Sequence, residues 1–245
     1  MTSSPPAFSI VTATYNPGAA LERTIDCLGK QTVRDFEWIV IDGASTDGTV
    51  DRLRALGPLL SHWISEPDDG IADAWNKGIA RARGRHVLIL NAGDTYDPHF
   101  LEKVGAVADG RRIVCCHARL LKEDGTEVGR LRAQPHKLYR AMHVPHNWCA
   151  VPRHRYAELG NYQKLPQAMD FEWFHRYFRR YGPEGFIVID EALGDYRLGG
   201  TSDLNFAESF RTKEQIIVAN GGNRWRARGY RWAYTVKHAI RRLFL

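Results

Sequence analysis

A single α/β domain, with a mostly parallel central sheet flanked by helices, is the fold class this sequence predicts. Three observations carry that prediction. Short β-rich apolar runs alternate with helical patterns, in the order that builds a parallel sheet. Two of the runs stop abruptly in polar residues: Phe36 to Ile41 ends at Asp42, and Leu88-Ile89-Leu90 ends at Asn91-Ala92-Gly93-Asp94. The 245 residues, 44% hydrophobic and 25% charged, suffice for one sizeable core, and no Gly/Ser or Pro-rich linker divides them. The expected organisation is a disordered start at 1–7, one domain at 8–220 with halves at 8–100 and 101–220, and a basic amphipathic helix at 221–245.

Several classes are disfavoured by composition. The start has neither the charged nor the apolar region of a signal peptide, and nowhere do 18 apolar residues run together. The expected location is the cytoplasm, either free or peripheral on the cytoplasmic membrane face. Cys27, Cys115, Cys116 and Cys149 show neither CxxC spacing nor a disulfide framework, so they are expected in the core. The net charge of +6 suggests nucleic acid at first sight. Residues 215–245, however, hold seven Lys/Arg and no acid, so residues 1–214 sum to 6 − 7 = −1 and a nucleic-acid partner is not expected.

In order, Phe8 to Ala13 reads as a strand, followed by the turn Thr14-Tyr15-Asn16-Pro17-Gly18 and a helical pattern through Leu21, Ile25 and Leu28. Phe36 to Ile41 is the second strand; Gly43 to Gly48 is turn-rich and leads to a second helix. His62 to Ser65 is a third short strand, Ile71 to Arg83 a third helix, and Arg85 to Leu90 a fourth strand. Neither common phosphate loop is present. Gly43 to Thr49 has the paired glycines of a P-loop with Thr49 in place of its lysine, and no GxGxxG follows the first strand.

Ligands of open α/β sheets lie beyond the carboxyl ends of the strands, where this sequence places Tyr15, Asp42, Asp69 and Asp94. Such a set suits a base, a ribose and a metal-bound diphosphate. Each residue also has a plainer reading. Tyr15 either stacks on a nucleobase or packs beside its turn. Asp42 either accepts hydrogen bonds from a base or ribose or forms the turn before Gly43. Asp69 either lines the site or belongs to Asp68-Asp69-Gly70 as a cap of the third helix. Asn76 and Lys77 face phosphates or solvent, and Asp94 serves a ligand or caps the helix near Pro98.

Four ordered stretches of the first half resemble the inverting family 2 glycosyltransferases. They are Thr12-Ala13-Thr14-Tyr15-Asn16, Ile41 to Thr49, Glu66 to Ile79 and Leu90-Asn91-Ala92-Gly93-Asp94. The resemblance implies the GT-A nucleotide-diphospho-sugar transferase fold and a donor site including Ala13, Tyr15, Asp42, Asp69, Asn76, Lys77 and Asn91. It also implies Mg²⁺ or Mn²⁺ at a D-x-D-type motif on the donor diphosphate. Asn91 and Gly93 stand where two of its acids belong, so Asp94 is the one carboxylate left for the ion, which fits Mg²⁺ with substrate phosphates and water.

In the second half, Arg112 to Ala118 reads as a strand, and His146 lies before a short apolar strand where the family often has histidine; a core or surface histidine is the plainer reading. Within Met169 to Tyr181, Asp170 shares a helix face with Trp173, Phe174 and Tyr177. Glu172 is expected to point to solvent, paired with Arg176. The resemblance places Asp170 where family members carry the Asp that deprotonates the acceptor hydroxyl, with Met169 where a preceding acid is usual. After a strand at Phe186 to Asp190, the loop Asp195 to Ser202 is expected to hinge at Gly199-Gly200, with Arg197 meeting a phosphate or merely belonging to the loop.

Asn205 to Ala219 reads as a helix stopped by Gly221-Gly222. Beyond it Trp225, Trp232, Val236, Ile240 and Leu243 recur at helical spacing among basic residues, facing either the domain or an anionic membrane. The function expected is an inverting, metal-dependent glycosyltransferase that moves a sugar from a nucleotide-diphosphate donor to a glycan or lipid-linked acceptor, in polysaccharide or glycolipid biosynthesis. The rivals are a sugar nucleotidyltransferase, which wants a basic pyrophosphate loop after the first strand, and a non-catalytic membrane-surface binding protein.

Overall fold

The computed structural model describes residues 4–198 and 206–243, with the side chains of 206 and 237–243 left aside. Four parallel strands form the first half of the sheet: β1 (Phe8–Thr14), β2 (Phe36–Asp42), β3 (His62–Ser65) and β4 (His86–Ile89), in the order β3-β2-β1-β4. Helices α1 (Ala20–Gly29), α2 (Thr49–Arg54) and α3 (Ile71–Arg81) connect them. β1 is buried along its whole length because both faces of the sheet are covered. Ile10, Trp38 and Leu88 join one apolar cluster with Leu21 and Leu28 of α1, while Val11, Ile39 and Ile89 join another with Trp75 and Ile79 of α3.

The second half is mixed in direction. It comprises β5 (Thr95–Tyr96), α4 (Phe100–Val107), β6 (Ile113–Leu121), β7 (Glu127–Leu131), β8 (Cys149–Pro152), α5 (His154–Leu159), α6 (Met169–Tyr181) and β9 (Phe186–Arg197). β8 joins β4 to β6 antiparallel to both, β9 runs parallel to β6, and β5 and β7 are antiparallel at the margins. Helices α7 (Phe206–Ala219) and α8 (Arg224–Leu243) follow. No helix of the described residues is long and apolar enough to cross a membrane.

Some local expectations change. Pro6 and Ala7, placed in a disordered start, accept hydrogen bonds from the amides of Arg85 (3.0 Å) and His86 (3.0 Å). β9 runs past Asp190-Glu191, which read as a strand end, because a register shift opposite Cys116–His117 lets it go on pairing as far as Arg197. Glu172 does not point to solvent. It is buried, because the turn at Leu159 to Asn161 folds over that flank of α6: Arg176 donates to Glu172 (3.0 Å) and to the Asn161 carbonyl (2.7 Å), and Trp173 donates to the Gly160 carbonyl (2.8 Å). All four cysteines are free and buried, as expected.

Candidate active site

The site is assembled where β1, β2 and β4 end. Asp42 closes β2 and is fully buried, its carboxylate accepting from the Ser45 amide (2.9 Å), Ser45 Oγ (2.5 Å) and Ser65 Oγ (2.6 Å). Ser45 Oγ in turn accepts from the Asn16 amide (2.7 Å), and Asn16 Oδ1 accepts from the Thr46 amide (2.8 Å), so the turns after β1 and β2 are laced together. A Cβ at Gly43 would lie 2.9 Å from an Asp68 carboxylate oxygen and 3.5 Å from the Tyr15 ring. A side chain there would push Asp68 aside, so glycine lets its carboxylate close in on the strand end. Tyr15 is 68% exposed, its ring open to a stacking partner, while Ala13 is buried within β1.

Other candidates are already engaged. Both functions of the Asn76 amide are taken by the Tyr162 backbone, donating to its carbonyl (2.8 Å) and accepting from its amide (3.0 Å). Asn76 therefore fastens α3 to the second half. Lys77 lies 2.8 Å from Glu66 and 3.1 Å from Asp73. Asp69 pairs with Lys164 (2.8 Å), which also reaches Asp73 (3.2 Å). Gly70, not an aspartate side chain, occupies the start of α3, with Asp68 accepting from its amide (2.9 Å).

Asp94 does not cap α4. It is buried, and Asn147 donates to its carboxylate. A line of amides extends from that pair: Asn91 donates to Asn147 Oδ1 (3.4 Å) and accepts from the Trp75 indole (3.2 Å). Thr24 of α1 holds the backbone below, accepting from the Gly93 amide (3.0 Å) and donating to the Asp94 carbonyl (3.3 Å). Downstream, Arg119 binds Asp97 through both guanidinium nitrogens (2.5 and 3.0 Å) and Asp195 (2.5 Å). These two carboxylates, Asp97 first, raise the Arg119 pKa and lock β5 against β9. At Gly194 a Cβ would sit 2.1 Å from the Thr95 carbonyl oxygen and 2.2 Å from the Trp148 indole nitrogen, so β9 crosses this segment at backbone contact.

The turn at His146–Trp148 links this pocket to α6. His146 is edge-on to Trp75 (ring centroids 4.9 Å apart), and its Nε2 is 2.8 Å from the Tyr162 hydroxyl. Burial pushes the imidazole down to about 4, opposed by the charge of Asp170. It is neutral at pH 7. Asp170 is partly buried at the first turn of α6, where one oxygen accepts from the Phe171 amide (2.7 Å). The same carboxylate acts on Lys213 of α7, whose pKa is lowered by burial and partly restored by Asp170. Arg197 Nη1 donates to the carbonyls of Lys122 (3.2 Å) and Glu123 (3.0 Å), and the hinge glycines Gly199-Gly200 lie outside the described residues.

Sequence reasoning missed Asn147, Tyr162 and Lys213. Asn147 carried one signal, its place beside His146; the others converge from distant elements and carried none. Among the described residues no three His, Cys, Asp or Glu side chains cluster as a metal site. The hard donors at the strand end are the Asp94 carboxylate and the amide oxygens of Asn91 and Asn147.

A parallel half-sheet β3-β2-β1-β4, joined through β8 to a mixed half and flanked by helices, is a GT-A-like glycosyltransferase fold. The mannosyltransferase PcManGT of Pyrobaculum calidifontis, solved with GDP-Man and Mn²⁺, superposes with a TM-score of 0.64 at 18% identity, over 96% of this chain and 76% of that one. The chain belongs to glycosyl transferase family 2, whose family model matches residues 9–184. It is 37% identical over 105 residues to a PGL/p-HBAD biosynthesis glycosyltransferase of Mycobacterium bovis, a match covering 41% of each chain. It is 34% identical over 106 residues to the putative teichuronic acid biosynthesis glycosyltransferase TuaG of Bacillus subtilis, covering 42% of each. The matched stretch spans about two fifths of these curated relatives.

Proposed function

We propose that this glycosyltransferase is an inverting one that moves a sugar from a nucleotide-diphosphate donor to a hydroxyl of a glycan or lipid-linked acceptor, in polysaccharide or glycolipid biosynthesis. One observation carries the reading. Asp94 is bonded to Asn147, while the charge of Asp170 acts on the adjoining His146, so acids from opposite halves of the chain act on neighbouring residues of one turn. In this reading Tyr15 stacks on the base, and Asp42 with its serine pair shapes the nucleoside pocket. Ala13 and Asn91 line the donor. Lys77 and Asp69 act through the ion-pair network that fixes the start of α3.

Asp170 accepts the proton of the acceptor hydroxyl while that oxygen bonds to the anomeric carbon. The bond from that carbon to the diphosphate oxygen breaks on the opposite face, and its electron pair leaves with the nucleoside diphosphate. Asp94 and the amide oxygens of Asn91 and Asn147 are the groups that would hold Mg²⁺ or Mn²⁺, an all-oxygen set of the kind these ions accept. Such an ion, when bound, supplies charge neutralisation of the departing diphosphate. With one carboxylate available, the ion is held weakly without the donor.

The test is transfer from UDP, GDP, CDP and dTDP sugars with Mn²⁺ to hydroxyl acceptors, with product configuration read by NMR. Inverted product is expected, absent in Asp170→Asn; retained configuration or full turnover by that variant overturns the reading. A membrane contact through α8 is favoured by a separate observation. Trp225 and Trp232 are 75% and 70% exposed, on the side of the helix opposite Ala227, Tyr230 and Tyr234, among exposed Arg224, Arg226 and Arg228. Flotation with phosphatidylglycerol vesicles, lost in a Trp225→Ser/Trp232→Ser variant, is the expected result; equal flotation of both proteins removes the contact.

A further inference from the structure

Beside the buried Asp42 lies a second carboxylate in the opposite condition. Asp42 is enclosed, accepting three hydrogen bonds from Ser45 and Ser65, and is closed to a ligand. Asp68, in the loop after β3, is half-buried, and its Oδ1 accepts from the Gly70 amide (2.9 Å). Among the described residues its Oδ2 accepts no hydrogen bond and pairs with no cation, and it is not sealed from solvent. The neighbouring acids differ: Glu66 pairs with Lys77, and Asp69 and Asp73 pair with Lys164.

The open oxygen is held in place. The Glu66 amide donates to the Asp42 carbonyl (3.0 Å), and Lys77 of α3 donates to the Pro67 carbonyl (3.4 Å), so the loop is tied on one side to the end of β2 and on the other to α3. Gly43 forms the floor: the point where a Cβ would stand there is 2.9 Å from Asp68 Oδ2 and 3.5 Å from the Tyr15 ring. The exposed Tyr15 ring and the open oxygen thus border one slot at the ends of β1 and β2.

Stacking on Tyr15 does not choose among bases, since every base has a π-face. The choice falls to whatever meets the base edge. A carboxylate oxygen only accepts, so it takes a ring N–H and repels the lone pair of a ring nitrogen. Uracil and thymine present one such N–H, at N3, whereas cytosine presents a lone pair at that atom. Guanine presents two adjacent N–H donors, which suit both oxygens of a carboxylate, and here one of the two is spent on Gly70. We infer, on the nucleotide-sugar reading proposed above, that Asp68 is the specificity residue for the donor base, its Oδ2 accepting the N3–H of a uracil or thymine stacked on Tyr15.

The test is calorimetric titration of the full chain with UDP, dTDP, CDP and GDP in the presence of Mn²⁺. UDP and dTDP bind about tenfold or more tightly than CDP and GDP. In Asp68→Asn the amide oxygen keeps the Gly70 contact, which needs an acceptor, and the NH₂ group takes the place of Oδ2, so a donor replaces an acceptor while Tm stays unchanged. UDP then weakens by about tenfold or more, and CDP tightens because its N3 now meets a donor. Gly43→Ala, whose Cβ pushes Oδ2 aside, weakens UDP without improving CDP. CDP or GDP binding the unaltered protein as tightly as UDP, or a preference that Asp68→Asn leaves in place, overturns the role of Asp68 and leaves the donor site standing. Binding of none of the four overturns both.

Discussion

The two sides of the site are finished to different degrees. On the donor side, at the ends of β1 and β2 and the start of α3, Asp42, Asp69, Asn76 and Lys77 are all bonded to other protein groups. On the proposed acceptor side, the Asp170 carboxylate accepts, among the described residues, from the amide of its own neighbour Phe171. The contrast teaches that a fixed pocket recognises by shape at little reorganisation cost, whereas a base must keep a lone pair free for the proton it takes.

The comparison can be broken at each side. Asp170→Asn is the largest expected effect: a fall in kcat of about 10² to 10⁴ with donor affinity unchanged, measured by turnover beside nucleotide titration. A parallel loss of donor affinity would mean the acid belongs to the pocket. Next, Asp94→Ala is expected to lower turnover by about 10² to 10³ and to abolish its response to Mn²⁺. A metal response equal to that of the unaltered protein would show that Asp94 holds no ion.

A third effect concerns stability against pH. His146 and His175 are held at about 4 against an ordinary 6.5. The unfolded chain binds the protons that the folded chain refuses, so stability is full above about 6.5 and drains as pH falls towards 4. For the well-buried His175 the loss is about 3 kcal/mol, and it is smaller for half-buried His146. Urea titrations at pH 7 and pH 4.5 should show the decline, flattened in His175→Gln. The smallest effect separates fastening from binding: Asn76→Ala, which unpairs the Tyr162 backbone, should cost about 1–3 kcal/mol of stability yet leave nucleotide affinity intact. Weakened nucleotide binding at unchanged stability would restore Asn76 to the donor site.

Much of the first half was legible because its signals are local. Apolar runs that stop at Asp42 and just before Asp94 announce strand ends whether or not their partners are known, and helical spacing found the Glu172–Arg176 pair. What failed were statements about surroundings. Spacing put Glu172 in water, because nothing in Met169 to Tyr181 reveals that residues 159–161 fold over it.

The sequence by itself determined the order of strands and helices in the first half, the acids at the strand ends, the family and the basic tail, since propensity, periodicity and motif spacing are properties of consecutive residues. Tertiary structure alone decided which polar groups were already spent and which were left open. It bonded Asn76 to Tyr162, set Asn147 on Asp94, and turned Trp225 and Trp232 outward. The physical reason is that a hydrogen bond or a desolvated charge depends on what the fold brings within a few ångströms, and those partners lie tens of residues away along the chain.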